Sequence, residues 1–329
     1  MCRFARAFLA SFPVLALLLG VLLAIPRGAQ AQSSEKVYRI GILTSGEHWR
    51  IRQSLRELGC IEGRNVVFEA RDTQGEAERL ERLASELAQR KVDVILATFP
   101  GAVIAAKRAT TTIPIVMVNT PDPVELGLVA SLARPGGNIT GTTSLSVDVS
   151  IKQLEILKEA VPGAARIAVV WNPGSPWHPF AVAGLRSQNR LAGVQLHFVG
   201  IRSPDEIQGS IDGLVKERAD AVMILADPML MAPVNRSRLV ELLNLNRLPS
   251  IGGLRSYSEA GGLLSFWAEE AELYRRVARY VDKILKGASP DRLPIEQPNL
   301  YELVVNLKTA KALGQRIPSS VLLRATVLE

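Results

Sequence analysis

Two aspartates in this 329-residue chain stand in Asp-Pro dipeptides just after apolar runs, Asp122 in TPDPVE and Asp227 in ADPML. A carboxylate so placed can receive a ligand's ammonium group, or it can cap the turn or helix that the proline begins. Small polar residues follow the other apolar runs. They are Thr44 and Ser45; Thr98, Phe99, Pro100 and Gly101; Asn119 and Thr120; Thr142, Thr143 and Ser144; Asn172, Gly174 and Ser175; Gly252 and Gly253; and Ser265, Phe266 and Trp267. Hydroxyls and amides ahead of a helix satisfy its first N–H groups. The same turn offers free N–H groups and a positive dipole end to an anion such as a carboxylate. Phe99, Trp177, Tyr257 and Phe266 can wall an aromatic or aliphatic side chain, or lie in a core. Such a set suits capture of a small molecule.

Catalytic signatures are missing from the sequence. It contains no G-x-S-x-G elbow, phosphate-binding loop, G-x-G-x-x-G fingerprint or H-E-x-x-H pair. His48, His178 and His197 are scattered and have no cysteine nearby, so no metal and no cofactor are expected, and no enzyme.

The elements that must position these residues are legible from periodicity. Apolar runs of strand length lie at 38–43, 66–69, 92–97, 115–118, 139–142, 167–171, 195–199, 221–225, 250–252 and 263–265. VDVILA, IPIVMV and RIAVVW are nearly continuous β-branched runs, as in parallel strands covered on both faces. Between the runs lie amphipathic helices, with Leu80, Leu83 and Leu87 on one face and Ile207, Ile211 and Leu214 on another. A longer one at 268–286 carries Leu273, Val277, Val281 and Ile284, with Gly287 as its stop. Strand spacing of roughly 25–30 residues is that of right-handed βαβ units. The fold class is therefore α/β. Seams at 143–150 and 265–269 make two lobes with a hinge, and ligands of open α/β sheets bind at the carboxyl ends of strands.

The first 31 residues read as an export signal. Arg3 and Arg6 precede an apolar stretch at 9–25, and Ala29, Gln30 and Ala31 offer small residues at a cleavage site after Ala31. Cleavage would lower the formal charge of +7 by three arginines, Arg27 included, to +4. Opposite charges alternate, as in EAERLERLASELAQRK, so no nucleic-acid partner is expected. Cys2 leaves with the signal and Cys60 remains alone, so stability must come from packed cores and not from a disulfide.

Several runs, in order along almost the whole chain, resemble the bacterial ABC-transporter substrate-binding proteins that include tryptophan- and tyrosine-binding members. Among them are LRELGCIEGRNVVFEAR, DPVELGLVASLARPGGNITG, LEILKEAVPGAARIAVVWNP, EAGGLLSF and YVDKILKGASPDRLPIEQPNLYELVVNLKTAKALG. The resemblance implies a type I periplasmic-binding-protein fold, with two Rossmann-like lobes of parallel sheets, three crossovers and a ligand cleft between them. The lobes are then expected at 37–144 plus 266–297 and at 145–265 plus 298–329. It also implies a periplasmic monomer that delivers a small solute to an ABC permease and its ATPase.

Carried over by position, the family's cleft segments fall on Thr98, Phe99, Pro100, Gly101 and Ala102, on Asp122, on Thr142, Thr143 and Ser144, and on Asn172, Asp227 and Ser265. The strand-end reading adds Thr44, Ser45, Ser175 and Phe266 as ligand contacts, and Tyr257 as a wall. Three departures bear on the guest. The loop TSGEHWRIRQSL is shorter than is usual in the family, Phe99 replaces a small residue, and Phe266, Trp267 and Ala268 stand where relatives often have Tyr-Gly-Pro. An amino acid or related small carboxylate, held by hinge closure, is the expected guest. Handing the closed form to a membrane kinase or chemoreceptor, for sensing, is the alternative to uptake.

Overall fold

The computed structural model describes residues 36–46, 48–144, 146–187 and 193–329; the expected signal segment and its cleavage site lie outside them. In chain order the strands are β1 (Tyr38–Thr44), β2 (Val66–Asp72), β3 (Val94–Ala97), β4 (Ile115–Pro121), β5 (Ile139–Ser144) and β6 (Arg166–Trp171). They continue as β7 (Gln195–Gly200), β8 (Ala221–Ile224), β9 (Ser250–Gly252), β10 (Leu264–Ala268), β11 (Tyr301–Asn306) and β12 (Ala325–Leu328). The helices are α1 (Trp49–Glu57), α2 (Leu80–Gln89), α3 (Pro100–Ala109), α4 (Ser146–Ala160), α5 (His178–Ser187) and α6 (Glu206–Lys216). After them come α7 (Pro228–Met231), α8 (Pro233–Leu245), α9 (Arg255–Glu259), α10 (Glu270–Leu285), α11 (Leu307–Leu313) and α12 (Ser319–Leu322).

Two sheets form, one per lobe. The first has the order β2-β1-β3-β4-β5 and is parallel throughout. The second runs β12-β11-β10-β9-β8-β6-β7. Alternation along the strands explains why both faces are covered. In the first sheet Ile95, Ala97, Ile115 and Met117 pack against Leu83, Leu87, Val103 and Ala106 of α2 and α3. Their neighbours Val94, Leu96, Val116 and Val118 pack on the other face against Ile51 and Leu55 of α1 and Leu273, Val277 and Val281 of α10. The second sheet divides likewise, with Ile167 and Val169 toward α4 and α5, and Ala168 and Val170 toward α6 and α8. Each large aliphatic side chain buried this way contributes about 1.5–3 kcal/mol.

Helix α10 follows a strand of the second sheet yet buries its apolar face on the first. The chain thus crosses between lobes after β5 and again between β10 and α10. It returns after Glu296, whose carbonyl accepts from Thr143 N–H while its own N–H donates to Gly141. Gly287, at φ +98°, ends α10 in the left-handed conformation that a glycine adopts without strain.

The second sheet departs from the all-parallel expectation. β11 pairs antiparallel with β10, and β12 then runs parallel to β11. The segment 301–306 returns directly from the first lobe beside the strand that left for it, so no helical crossover is available to reverse its direction. Cys60 is buried beside Asp282, and burial pushes its thiol above the ordinary value, which makes it a packing residue.

Candidate functional site

A cavity of about 230 Å³ lies between the lobes, at the carboxyl ends of both sheets. The first lobe contributes Thr44 and Ser45 after β1, Thr98, Phe99 and Pro100 after β3, and Val118, Asn119 and Pro121 from β4. The second contributes Trp177, Asp227, Met231, Arg236, Ser256, Glu259 and Trp267. Arg50 of α1 and Glu270 and Tyr274 of α10 also line the cavity.

In the first lobe the Thr98 hydroxyl donates to Thr44 Oγ1 at 3.1 Å, joining the ends of adjacent strands. Asn119 sits where the β4–β5 register shifts, at φ +46°, a left-handed conformation that asparagine tolerates better than most residues. Its N–H donates to Thr142 Oγ1 at 2.8 Å. Its side chain is 7% exposed, and Oδ1 is buried without a hydrogen-bond partner among the described residues. An unpaired buried acceptor beside a cavity is a place where an incoming donor would be favourable.

In the second lobe the ends of β6 and β8 are bound together around His178. Asn172 N–H donates to His178 Nδ1 at 2.9 Å, and His178 Nε2 lies 3.1 Å from the Ala226 carbonyl. With Nδ1 accepting, the proton belongs on Nε2, so the ring is neutral. Burial holds its pKa below the ordinary value, although the nearby Asp227 charge pulls the other way. Asn172 Nδ2 donates to Asp227 Oδ1 at 3.2 Å. The same oxygen accepts from Met229 N–H at 2.9 Å and Leu230 N–H at 3.2 Å, capping α7. Asp227 therefore caps a helix and also lines the cavity. Among the described residues its hydrogen bonds all fall on Oδ1, which leaves Oδ2 as an acceptor for a guest.

Charged groups ring the cavity. Arg50 Nε lies 3.4 Å from Glu270 Oε2, and Glu259 accepts from Arg255 Nε at 2.8 Å. Burial pushes the Glu270 carboxyl up; Arg50 opposes the shift, and Glu259 and Glu302 add to it. Among the described residues no cluster of three or more His, Cys, Asp or Glu could hold a metal ion.

Of the residues singled out in the sequence, Thr44, Ser45, Thr98, Phe99, Pro100 and Asp227 meet at this cavity. Asn119, Trp177 and Trp267 line it as well, and the remaining expected contacts lie off its wall. Ala102 is fully buried in the core under α3, and Gly101 lies outside the cavity wall. Asp122 is in the turn after β4, at φ +44°, where its N–H donates to Ser144 and its carbonyl accepts from Leu126. Thr142 holds Asn119, while Ser144 and Ser265 are buried hydroxyls off the wall. Asn172 braces Asp227, and Ser175 closes the Asn172 turn through its N–H. Phe266 stacks on Tyr301 with ring centroids 5.5 Å apart.

Tyr257 requires a correction. It is fully buried, its hydroxyl lies 2.6 Å from Ser250 Oγ, and its ring fills the gap beside Gly252 and Gly262. It belongs to the core, since a hydroxyl already paired inside the lobe leaves its ring free to be covered completely. Conversely, Arg50, Arg236, Ser256, Glu259 and Glu270 line the cavity from helices, where no strand-end signal points to them. Trp177 was legible as an aromatic wall, Trp267 as a departure from the family pattern and Asn119 as a polar residue after a strand.

Known proteins share this architecture. A tyrosine-binding protein of Clostridioides difficile is 28% identical over 291 residues, covering 86% of this chain and 83% of that protein. The crystal structure of a conserved domain protein from Vibrio cholerae superposes with a TM-score of 0.82 at 27% identity, covering 89% of this chain and all of the other (100%). An ABC domain from Streptococcus pneumoniae in complex with L-Trp gives 0.81 at 23% identity, with the same coverage of 89% and 100%, and so shares the fold. The fold is that of the type I periplasmic binding proteins; the Clostridioides relative is named for binding tyrosine and the Streptococcus domain holds L-Trp. With residues 48–328 matching the family model for ABC transporter substrate binding proteins, and with a polar cavity between two α/β lobes, this chain belongs to that family.

Proposed function

We propose that the protein is exported to the periplasm with its signal cleaved after Ala31, and that as a monomer it captures a small solute, an amino acid or related small carboxylate, for an ABC importer. The observation that carries this reading is the inter-lobe cavity, to which Asn119 of one lobe and Asp227 of the other each bring an open acceptor. An ammonium group between them satisfies both, and only when the lobes are together. Binding then favours the closed arrangement by the difference in contacts between open and closed states. The moving bodies are 37–144 plus 269–297 and 145–268 plus 298–329, because the pairing of β10 keeps 266–268 with the second sheet, and the crossings between lobes are the hinge.

The guest's side chain meets Phe99, Trp177, Trp267 and Tyr274, a wall suited to an aromatic or bulky aliphatic group. The names of the relatives, tyrosine-binding in one and complexed with L-Trp in another, point the same way. Thr44, Ser45, Thr98 and Pro100 touch the guest, whereas Asn172, Thr142 and His178 hold the residues that do. The closed protein then docks on its permease and ATPase. Titration with the twenty L-amino acids, followed by tryptophan fluorescence and melting temperature, tests the ligand class. A binder should change the emission of Trp177 and Trp267 and raise the melting temperature; a panel without one would remove amino acids from consideration.

A further inference from the structure

We propose that Arg236, on the second lobe, reads the guest's anionic group, and that the N-terminus of α3 does not. The proposal rests on the reading of the cleft as a site for a carboxylate-bearing solute. The cavity wall carries the charged residues Arg50, Asp227, Arg236, Glu259 and Glu270. Arg50 is paired with Glu270, and Glu259 with Arg255. That leaves Asp227 and Arg236 without an ion pair among the described residues, one acid and one base on the same lobe. A zwitterion supplies the partner of each.

The Arg236 guanidinium, in the cavity wall, is already fixed in place. One terminal nitrogen donates to Ser256 Oγ at 3.0 Å and, at 3.4 Å, to the Met231 carbonyl. Its Nε is buried and has no hydrogen-bond partner among the described residues. Arg236 also stands in the first turn of α8, which holds no acidic residue, so its charge adds to the positive end of that helix. A partly buried cation there is costly until an anion arrives. A carboxylate matches the planar fork of guanidinium donors.

The rival anion site is closed off by the local sequence. The first residue of α3 is Pro100, which has no N–H. Gly101 and Ala102, which do, lie outside the cavity wall, and the Phe99 ring stands 3.3 Å from where a Cβ on Gly101 would be. With both charges of the guest on the second lobe, that lobe captures first. The first lobe then closes with Asn119 and Phe99.

The test compares a free acid with its own carboxamide. Wild-type protein is titrated with the twenty L-amino acids and with benzoate and 4-hydroxyphenylacetate, and the tightest binder is then tested as its amide. The acid should bind about 10- to 100-fold more tightly than the amide, as expected for a hydrogen bond to a charged group. Arg236→Gln should remove that preference by weakening the acid alone, and Arg236→Lys should keep part of it. An acid-to-amide preference unchanged in Arg236→Gln overturns the proposal and leaves the solute-binding reading standing. So does the lack of any preference in wild type, a measurement that needs no variant to fold. If no panel member binds wild type, the cleft reading and this proposal fall together.

Discussion

Asn172 Nδ2 and Asp227 Oδ1 are 3.2 Å apart, a hydrogen bond that ties the end of β6 to the end of β8. His178 makes the same connection one layer deeper, accepting from Asn172 N–H and reaching the Ala226 carbonyl. The α7 cap fixes Asp227 from a third side. An acid whose Oδ1 already accepts from Asn172 Nδ2 and from two N–H groups of α7 does not need to reorganise when a cation arrives. That is the condition under which a partly buried carboxylate gives both affinity and selectivity.

The first prediction separates the two duties of Asp227. In Asp227→Asn an amide oxygen still accepts from Met229 and Leu230 N–H, so the cap survives and stability should change by no more than about 1 kcal/mol. The charge facing the guest is lost, and affinity for an amine-bearing guest should fall roughly 10- to 100-fold. Calorimetric titration beside a thermal melt checks both outcomes. Equal affinity in the variant would take the ammonium away from Asp227.

His178 should make stability depend on pH. Its pKa in the fold lies below the ordinary 6.5 because burial disfavours the imidazolium. The unfolded chain therefore binds a proton that the native protein refuses, and stability falls as pH drops below about 6.5. Melting temperature measured from pH 8 to pH 5 should decline over the acid half of that range. His178→Gln should flatten this part of the decline. His178→Ala, which leaves Asn172 N–H and the Ala226 carbonyl unpaired, should lose about 2–4 kcal/mol at pH 7.

Much of this arrangement was legible in the sequence, for identifiable reasons. β3, β4 and β6 are short apolar runs rich in β-branched residues and covered on both faces, the pattern of a buried parallel strand. Residues that end such runs must lie at the carboxyl edge, so Thr98, Phe99 and Asp227 could be assigned to a cleft from position alone. Neither β11 nor β12 was among the expected strands, and β12 is a short, partly exposed edge strand with little signal. Nothing local in YELVVN says that β11 pairs antiparallel with β10, a choice made by the chain's return between lobes. Arg50, Arg236 and Glu259 escaped for a different reason. They are helical charges in a chain full of helical charges, and only the docking of the lobes distinguishes them. Tyr257 misled because an aromatic residue after a strand reads alike whether it faces a guest or a core.

The packing around Tyr257 gives a stability prediction remote from the guest. A Cβ added at Gly262 would stand 2.2 Å from the Tyr257 ring, and one at Gly252 would stand 2.5 Å from it. The ring is fully buried and its hydroxyl is pinned to Ser250, so it has nowhere to move. Gly262→Ala should therefore destabilise by about 1–3 kcal/mol or more through overpacking. In the double variant Gly262→Ala with Tyr257→Leu the penalty for the alanine should shrink, which a double-mutant cycle of denaturant unfolding would measure.

Glu270 should behave in the opposite sense to His178. Burial raises its carboxyl above the ordinary 4.5, and Arg50 at 3.4 Å only partly offsets the shift because Glu259 and Glu302 repel the charge. Between 4.5 and the raised value the native protein keeps a proton that the unfolded chain has lost. Stability from this group is therefore full below pH 4.5 and declines as pH rises through the native pKa. At pH 7 the ionised carboxylate is a standing cost in the cavity wall. Glu270→Gln should raise the melting temperature at pH 7, with the gain fading as pH is lowered toward 4.5. A variant that melts lower than wild type at pH 7 would mean that the Arg50 partnership outweighs desolvation.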